Sequence, residues 1–218
     1  MKITRNRLSA KAPCQNYDTM KLLDSYNVCF LGKTGYGKST IINALYGISF
    51  KTDPMFSCTK EMYTVTKMGN FPNNKECITI YDTPGIGEFP DDEPYQRYYE
   101  HVVGISDCIV LVVTFAKTDA PEQELLISLK PFLDNNKPQK FIIALNHIDS
   151  TIVAMDSEYV SWNDKNNEPS LACKQLIEER ERIIHQKYDG LLLPFTVVHV
   201  CAMRNYGIVE LKNKIETE

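Results

Sequence analysis

Short apolar runs alternate along the chain with segments whose apolar residues recur every three or four positions, and the alternation persists from residue 26 almost to the end. Tyr26-Asn27-Val28-Cys29-Phe30-Leu31 reads as a strand, and Ile41, Ile42, Leu45 and Tyr46 follow it at helical spacing. Met62 to Lys67 and Glu76 to Tyr81 are rich in β-branched residues and flank Gly69-Asn70-Phe71-Pro72-Asn73-Asn74, the composition of a hairpin. Cys108 to Phe115 and Phe141 to Leu145 are apolar on both faces, as the central strands of a parallel sheet are. Helices are predicted over Tyr95 to Val103, after Pro121 with Leu125, Leu126, Leu129 and Phe132 inward, and over Leu171 to Tyr188 with Ile177, Ile183 and Ile184 on one side. Phe195 to Val200 is the last strand, and Ile208, Leu211 and Ile215 mark a closing helix. Such alternation predicts an α/β fold with a parallel-dominated sheet.

Residues 1–25 are polar and mixed and are expected to form an arm outside the domain, leaving 26–218 as the folded unit. Ile48 to Lys60 has no clear period and is expected to be a mobile loop. Ser150 to Ser170 is an irregular insertion holding the single tryptophan, Trp162.

With 218 residues, 43% of them hydrophobic, the chain can bury one substantial core. No apolar run is long enough to span a bilayer, and no apolar segment follows the basic start, so a cytoplasmic location is expected. Seven cysteines without a CxxC pair, and four histidines at no ligand spacing, predict buried reduced thiols and no cysteine or histidine metal centre. The net charge of −4 gives no general reason for a nucleic-acid partner, and only the short leader with Lys2, Arg5, Arg7 and Lys11 points that way.

The chemistry concentrates in Gly32-Lys33-Thr34-Gly35-Tyr36-Gly37-Lys38-Ser39, which fits GxxxxGK[ST] between a strand and a helix. Its glycines let successive N–H groups curl toward one anion, and the positive end of the helix adds to the attraction. Lys38 would reach β- and γ-phosphates, and the Ser39 hydroxyl would be a Mg²⁺ ligand. The plain alternative is a glycine-rich turn that happens to contain Lys-Ser, against which the strand-then-helix context argues. Three further stretches stand at strand ends, where ligands of open α/β sheets collect. They are Asp82-Thr83-Pro84-Gly85, Asn146-His147-Ile148-Asp149 and Cys201-Ala202-Met203.

Together with the hydroxyl-bearing loop Ser57-Cys58-Thr59, these stretches resemble, in order, the five signature boxes of the translation-factor class of P-loop GTPases. The resemblance covers most of Tyr26 to Ile215 and is closest to the Era-like (MMR-HSR-type) bacterial GTPases, often labelled ribosome-binding, and weaker to septin and AIG-type GTPases. It implies a Ras-like G domain, a three-layer α/β sandwich around a mostly parallel six-stranded sheet with one antiparallel edge strand. It implies GTP or GDP as ligand with Mg²⁺, held by Gly32, Gly35, Tyr36, Gly37, Lys38, Ser39, Thr40, Asn146, His147, Asp149 and Ala202. Ser39 and Thr59 would hold the metal directly and Asp82 through a water, while Lys38, Thr59 and Gly85 would act on the γ-phosphate. Ser57 and Thr52 compete with Thr59 for its role. Asp149 argues for guanine, because a carboxylate accepts from the N1–H and 2-amino group and adenine offers neither donor.

The chain departs from that pattern at four places. His147 stands where most members carry a lysine whose stem covers the base, and an imidazole can stack there instead; Cys201 replaces the usual serine. Ile86 follows Gly85 where Ras-type enzymes carry the water-orienting glutamine, and Gly35 stands where potassium-activated relatives carry asparagine. The expectation is a guanine-nucleotide switch that hydrolyses GTP slowly unless an activator or dimer partner helps. The alternative is a nucleotide-dependent homodimer that serves as an assembly module, with hydrolysis incidental. A ribosome or RNA partner follows from the resemblance alone, and a P-loop ATPase or kinase is disfavoured by Asn146-His147-Ile148-Asp149.

Overall fold

A computed structural model describes residues 4–8, 25–50, 62–86, 93–115, 126–127, 130–131, 139–150, 162–190 and 194–217. Its strands are β1 (Thr4–Leu8), β2 (Ser25–Leu31), β3 (Met62–Phe71), β4 (Lys75–Asp82), β5 (Cys108–Thr114), β6 (Lys140–Asn146), β7 (Trp162–Asn163), β8 (Glu168–Pro169) and β9 (Phe195–His199). Its helices are α1 (Lys38–Tyr46), α2 (Glu93–Ile105), α3 (Leu171–Tyr188) and α4 (Ile208–Glu216).

The main sheet runs β1-β3-β4-β2-β5-β6-β9. β4, β2, β5, β6 and β9 are mutually parallel and β3 is antiparallel to β4, which is the mostly parallel six-stranded sheet expected from the sequence. A seventh strand, β1, comes from the N-terminal arm and pairs antiparallel with β3, with Thr4 opposite Thr66 and Leu8 opposite Met62. The arm therefore supplies the outer edge, and the antiparallel β3 lies one strand in from it.

Side chains alternate across the sheet and divide the core into two layers. Val28 and Phe30 of β2 pack with Ile41, Ile42 and Leu45 of α1 and Ile208, Leu211 and Ile215 of α4. Cys29 and Leu31 point the other way, to Val102 and Val103 of α2 and Ile177, Ile184 and Tyr188 of α3. Helices on both faces of one sheet make the three-layer sandwich. Cys29, Cys77, Cys108, Cys173 and Cys201 are buried free thiols.

α3 starts at Ser170, whose Oγ accepts from the Cys173 N–H at 3.3 Å. Ile183, expected inward with Ile177 and Ile184, is 39% exposed, because consecutive helical residues are turned by about 100° and Ile184 takes the inward position. The insertion contains a two-stranded hairpin of β7 and β8 around a buried Trp162. Leu126 is buried, but Leu125, Leu129 and Phe132 of the helix expected there lie outside the described residues, as does the loop with Thr52, Ser57 and Thr59. Among the described residues no helix is long and apolar enough to cross a membrane.

Candidate functional site

Because five strands run parallel, their C-terminal ends reach one edge of the sheet, and the loops after β2, β4, β6 and β9 meet there. The loop after β2 enters α1 through Gly37, at φ 87, with no side-chain cap and no acid in the first turn of the helix. A Cβ at Gly37 would fall 2.4 Å from Asn146 Nδ2 and 3.4 Å from His147 Nε2, so only glycine admits the loop after β6 this closely. Lys38 is buried and its Nζ donates to the carbonyl oxygens of Gly32 at 2.8 Å and Lys33 at 3.1 Å, folding the ammonium back over the loop. Tyr36 puts its ring into the core while its carbonyl stays in the loop. Gly35 is exposed at the tip, and Thr40 is half-buried on α1.

Asp82, at the end of β4, is fully buried and accepts from the Ser39 hydroxyl at 2.6 Å. Its other oxygen, Oδ1, is buried without a hydrogen-bond partner among the described residues. Burial pushes the carboxyl up to about 6, against the pull of the Lys38 charge and the Ser39 hydrogen bond. The turn beyond is fixed from both sides, since Thr83 Oγ1 donates to the Phe30 carbonyl at 2.7 Å and the Tyr99 hydroxyl of α2 to the Pro84 carbonyl at 2.9 Å. Gly85 lies against the phosphate loop so tightly that a Cβ there would be 1.8 Å from Thr34 Oγ1. The next residue pairs with the loop: the backbones of Ile86 and Lys33 form a parallel bridge, and the Ile86 N–H donates to the Gly32 carbonyl at 3.2 Å.

Asn146 is fully buried between the loop after β2 and the one after β9. Its Nδ2 donates to the Tyr36 carbonyl at 2.9 Å and its Oδ1 accepts from the Ala202 N–H at 3.4 Å. His147 holds a left-handed backbone, φ 57, and burial lowers its imidazole below the ordinary histidine value while the Asp149 charge opposes that shift. Asp149 is the middle residue of the short 3-10 turn Ile148–Ser150 that follows, and its Oδ2 lies 3.5 Å from Arg204 Nε.

The sequence-derived residues Gly32, Gly37, Lys38, Ser39, Asp82, Gly85, Asn146, His147, Asp149 and Ala202 thus converge. Two contributors went unread. Tyr99 carries no signal in the sequence, since a helix tyrosine is ordinary. Arg204, two residues past Ala202, could have been flagged only as a charge in an otherwise apolar exit loop.

The chain matches the family described as 50S ribosome-binding GTPase over residues 27–147. It belongs to that family. This P-loop GTPase domain is 30% identical over 162 residues to interferon-gamma-inducible GTPase 10 of Mus musculus, covering 70% of this chain and 33% of that protein. Among solved structures it resembles Era of Aquifex aeolicus in the Y63A form bound to GDP·AlF4⁻, with a TM-score of 0.56 and 25% identity over 88% of this chain and 57% of that one. It shares its fold with Toc33 of Arabidopsis thaliana, a dimerization-deficient mutant, with a TM-score of 0.63 and 16% identity over 90% of this chain and 85% of that one. The chain spans about a third of the length of the curated relatives it matches.

Proposed function

We propose that this chain binds GTP and GDP with Mg²⁺ and hydrolyses GTP slowly to GDP and phosphate. What carries the reading is that Lys38, the Ser39–Asp82 pair and the Asn146 bridge meet at one sheet edge. On nucleotide binding, Lys38 Nζ exchanges two neutral carbonyls for β- and γ-phosphate oxygens, and charge-assisted bonds of this kind are worth roughly 1.5–3 kcal/mol each. Asp149 accepts from the guanine N1–H and 2-amino group, the neutral His147 ring stacks on the base, and the Ala202 N–H backs it. Asn146 holds these loops together.

The oxygen donors fit a hard divalent cation, since Ser39 Oγ and Asp82 Oδ2 are 2.6 Å apart and Asp82 Oδ1 is buried and without a partner among the described residues. Ser39 would hold Mg²⁺ directly and Asp82 through a water, with Thr59 as the third contributor and Ser57 and Thr52 as its competitors. When bound, the cation offsets charge on the β- and γ-phosphate oxygens. The Gly85 N–H is the proposed sensor of the γ-phosphate.

Ile86 has no polar side-chain atom to orient water, so hydrolysis relies on Lys38 and the loop N–H groups until a group arrives from an activator or a dimer partner. A nucleotide-dependent homodimer is the second reading, favoured by the same apolar Ile86, and light scattering with GDP and with a non-hydrolysable GTP analogue separates the two. A ribosome or RNA partner rests on the family description alone.

The test is a titration with GTP, GDP and ATP, with and without Mg²⁺. Guanine nucleotides are expected to bind at least about 100-fold more tightly than ATP, because a site built around polar donors rejects a base lacking them. Equal affinity for ATP would overturn the reading.

A further inference from the structure

We propose that Arg204, gripped by the hairpin of β7 and β8, is a positioning residue that fixes the Asp149 carboxylate for the guanine edge; this rests on the reading of Asp149 given above. The guanidinium is held independently of Asp149. Its Nη1 donates to Asp164 Oδ1 at 2.7 Å, and its carbon stands 4.8 Å over the centre of the Trp162 ring. The Arg204 carbonyl accepts from Asn167 Nδ2 at 2.9 Å, and Asn167 Oδ1 in turn accepts from Trp162 Nε1 at 3.3 Å. Trp162 is 3% exposed and meets Tyr206 edge-on, with ring centroids 5.4 Å apart.

Two-residue strands do not hold a hairpin together by themselves, so this packing is what orders the segment. Its product is a stationary cation beside Asp149, Nε standing 3.5 Å from Oδ2. A carboxylate on a short turn rotates about two bonds, and a base that must stop that rotation binds more weakly than one that finds the carboxylate already set. Arg204 approaches Oδ2, and the Cys201 thiol also hydrogen-bonds to the Asp149 carboxylate, so two of its four lone pairs remain for the two donors of guanine. Lysine would supply the charge but neither the flat face that lies on Trp162 nor the fork that reaches Asp149 and Asp164 together.

The same contacts could merely hold the loop that carries Ala202, and the experiment separates the two roles. Inosine diphosphate keeps the N1–H and lacks the 2-amino group, so the preference for GDP over IDP reads how well Asp149 is placed. Dissociation constants for both are measured by calorimetry on the full chain, as wild type, Arg204→Ala, Arg204→Lys and Arg204→Gln, alone and combined with Asp149→Ala. The expected result is about a tenfold loss for GDP in Arg204→Ala with a loss for IDP at least about threefold smaller. Lys and Gln should fall between, and Arg204→Ala should change GDP binding by less than about twofold once Asp149→Ala is present. Equal losses for GDP and IDP, or a loss that persists in the Asp149→Ala background, would overturn the proposal, and so would unchanged GDP binding in any folded variant. Wild-type GDP binding indifferent to Asp149→Ala would instead remove the base reading on which the proposal stands.

Discussion

Asn146 Nδ2 donates to the Tyr36 carbonyl oxygen at 2.9 Å across 110 residues of sequence. With the Ala202 N–H on its other end, this one buried amide ties the phosphate loop to two loops on the base side. The proposed base contact and the loop architecture therefore share a side chain.

Replacing Asn146 with alanine strands a buried carbonyl and a buried N–H. At roughly 1–3 kcal/mol for each unsatisfied group, the ligand-free protein should lose about 2–6 kcal/mol of stability. GTP and GDP should weaken alike, because the contact is remote from the γ-phosphate. Urea unfolding with a change below about 0.5 kcal/mol would show that the bridge contributes little.

Lys38→Ala should lower GTP and GDP affinity by about 10- to 100-fold while cooperative unfolding is retained, the loss matching one charge-assisted bond. Calorimetry returning unchanged affinity in the folded variant would contradict the phosphate-loop assignment.

Asp82 is a buried carboxylate whose Oδ1 has no hydrogen-bond partner among the described residues, and burial pushes its pKa from 3.8 up to about 6, so the folded protein disfavours its charged form. Asp82→Asn should leave the ligand-free protein as stable as wild type or more stable at neutral pH, because the folded state holds that charge at a cost the amide does not carry. The variant should lose the gain in GTP affinity that Mg²⁺ confers. Thermal unfolding and Mg²⁺-dependent titration check the two halves, and an Asn variant that still responds to Mg²⁺ would remove Asp82 from the metal site.

His147 titrates below its ordinary value of 6.5 because it is partly buried. Its folded pKa is depressed, so its contribution to stability is fully present above 6.5 and is lost as pH falls through the lower, folded value. His147→Asn tolerates the left-handed backbone and removes the titration. Melting temperatures recorded between pH 7 and pH 5 should fall less steeply for the variant than for wild type, and parallel curves would refute the assignment.

Ile86 is 6% exposed and engages the phosphate loop through its N–H, and its own side chain carries no group to orient water. Unaided GTP hydrolysis should run on the order of 10⁻⁴ to 10⁻³ per second, and an inserted arginine could add about 10³–10⁵-fold. Single-turnover rates across protein concentration decide the matter: a fast rate independent of concentration, in dilute protein without partners, would rule this out.

The sequence by itself determined the strands and helices with strong periods and the order of the loops between them. Val28 to Leu31, Cys108 to Val113 and Phe141 to Leu145 are buried where their apolar runs predict, because a strand apolar on both faces has nowhere to go but the middle of a covered sheet. The phosphate loop was legible because its chemistry is local: glycines, Lys38 and Ser39 act within eight residues. Only the tertiary structure decided that Thr4–Leu8 closes the sheet edge, that Tyr99 holds the Pro84 turn, that Asn146 is a clamp as well as a candidate base contact, and that Arg204 stands between Asp164 and Asp149. Each of these depends on groups from distant parts of the chain brought to one sheet edge by parallel strands. Spacing along a sequence carries no record of which distant polar groups will meet, since that is settled by strand order and by the strong tendency of buried donors and acceptors to find partners.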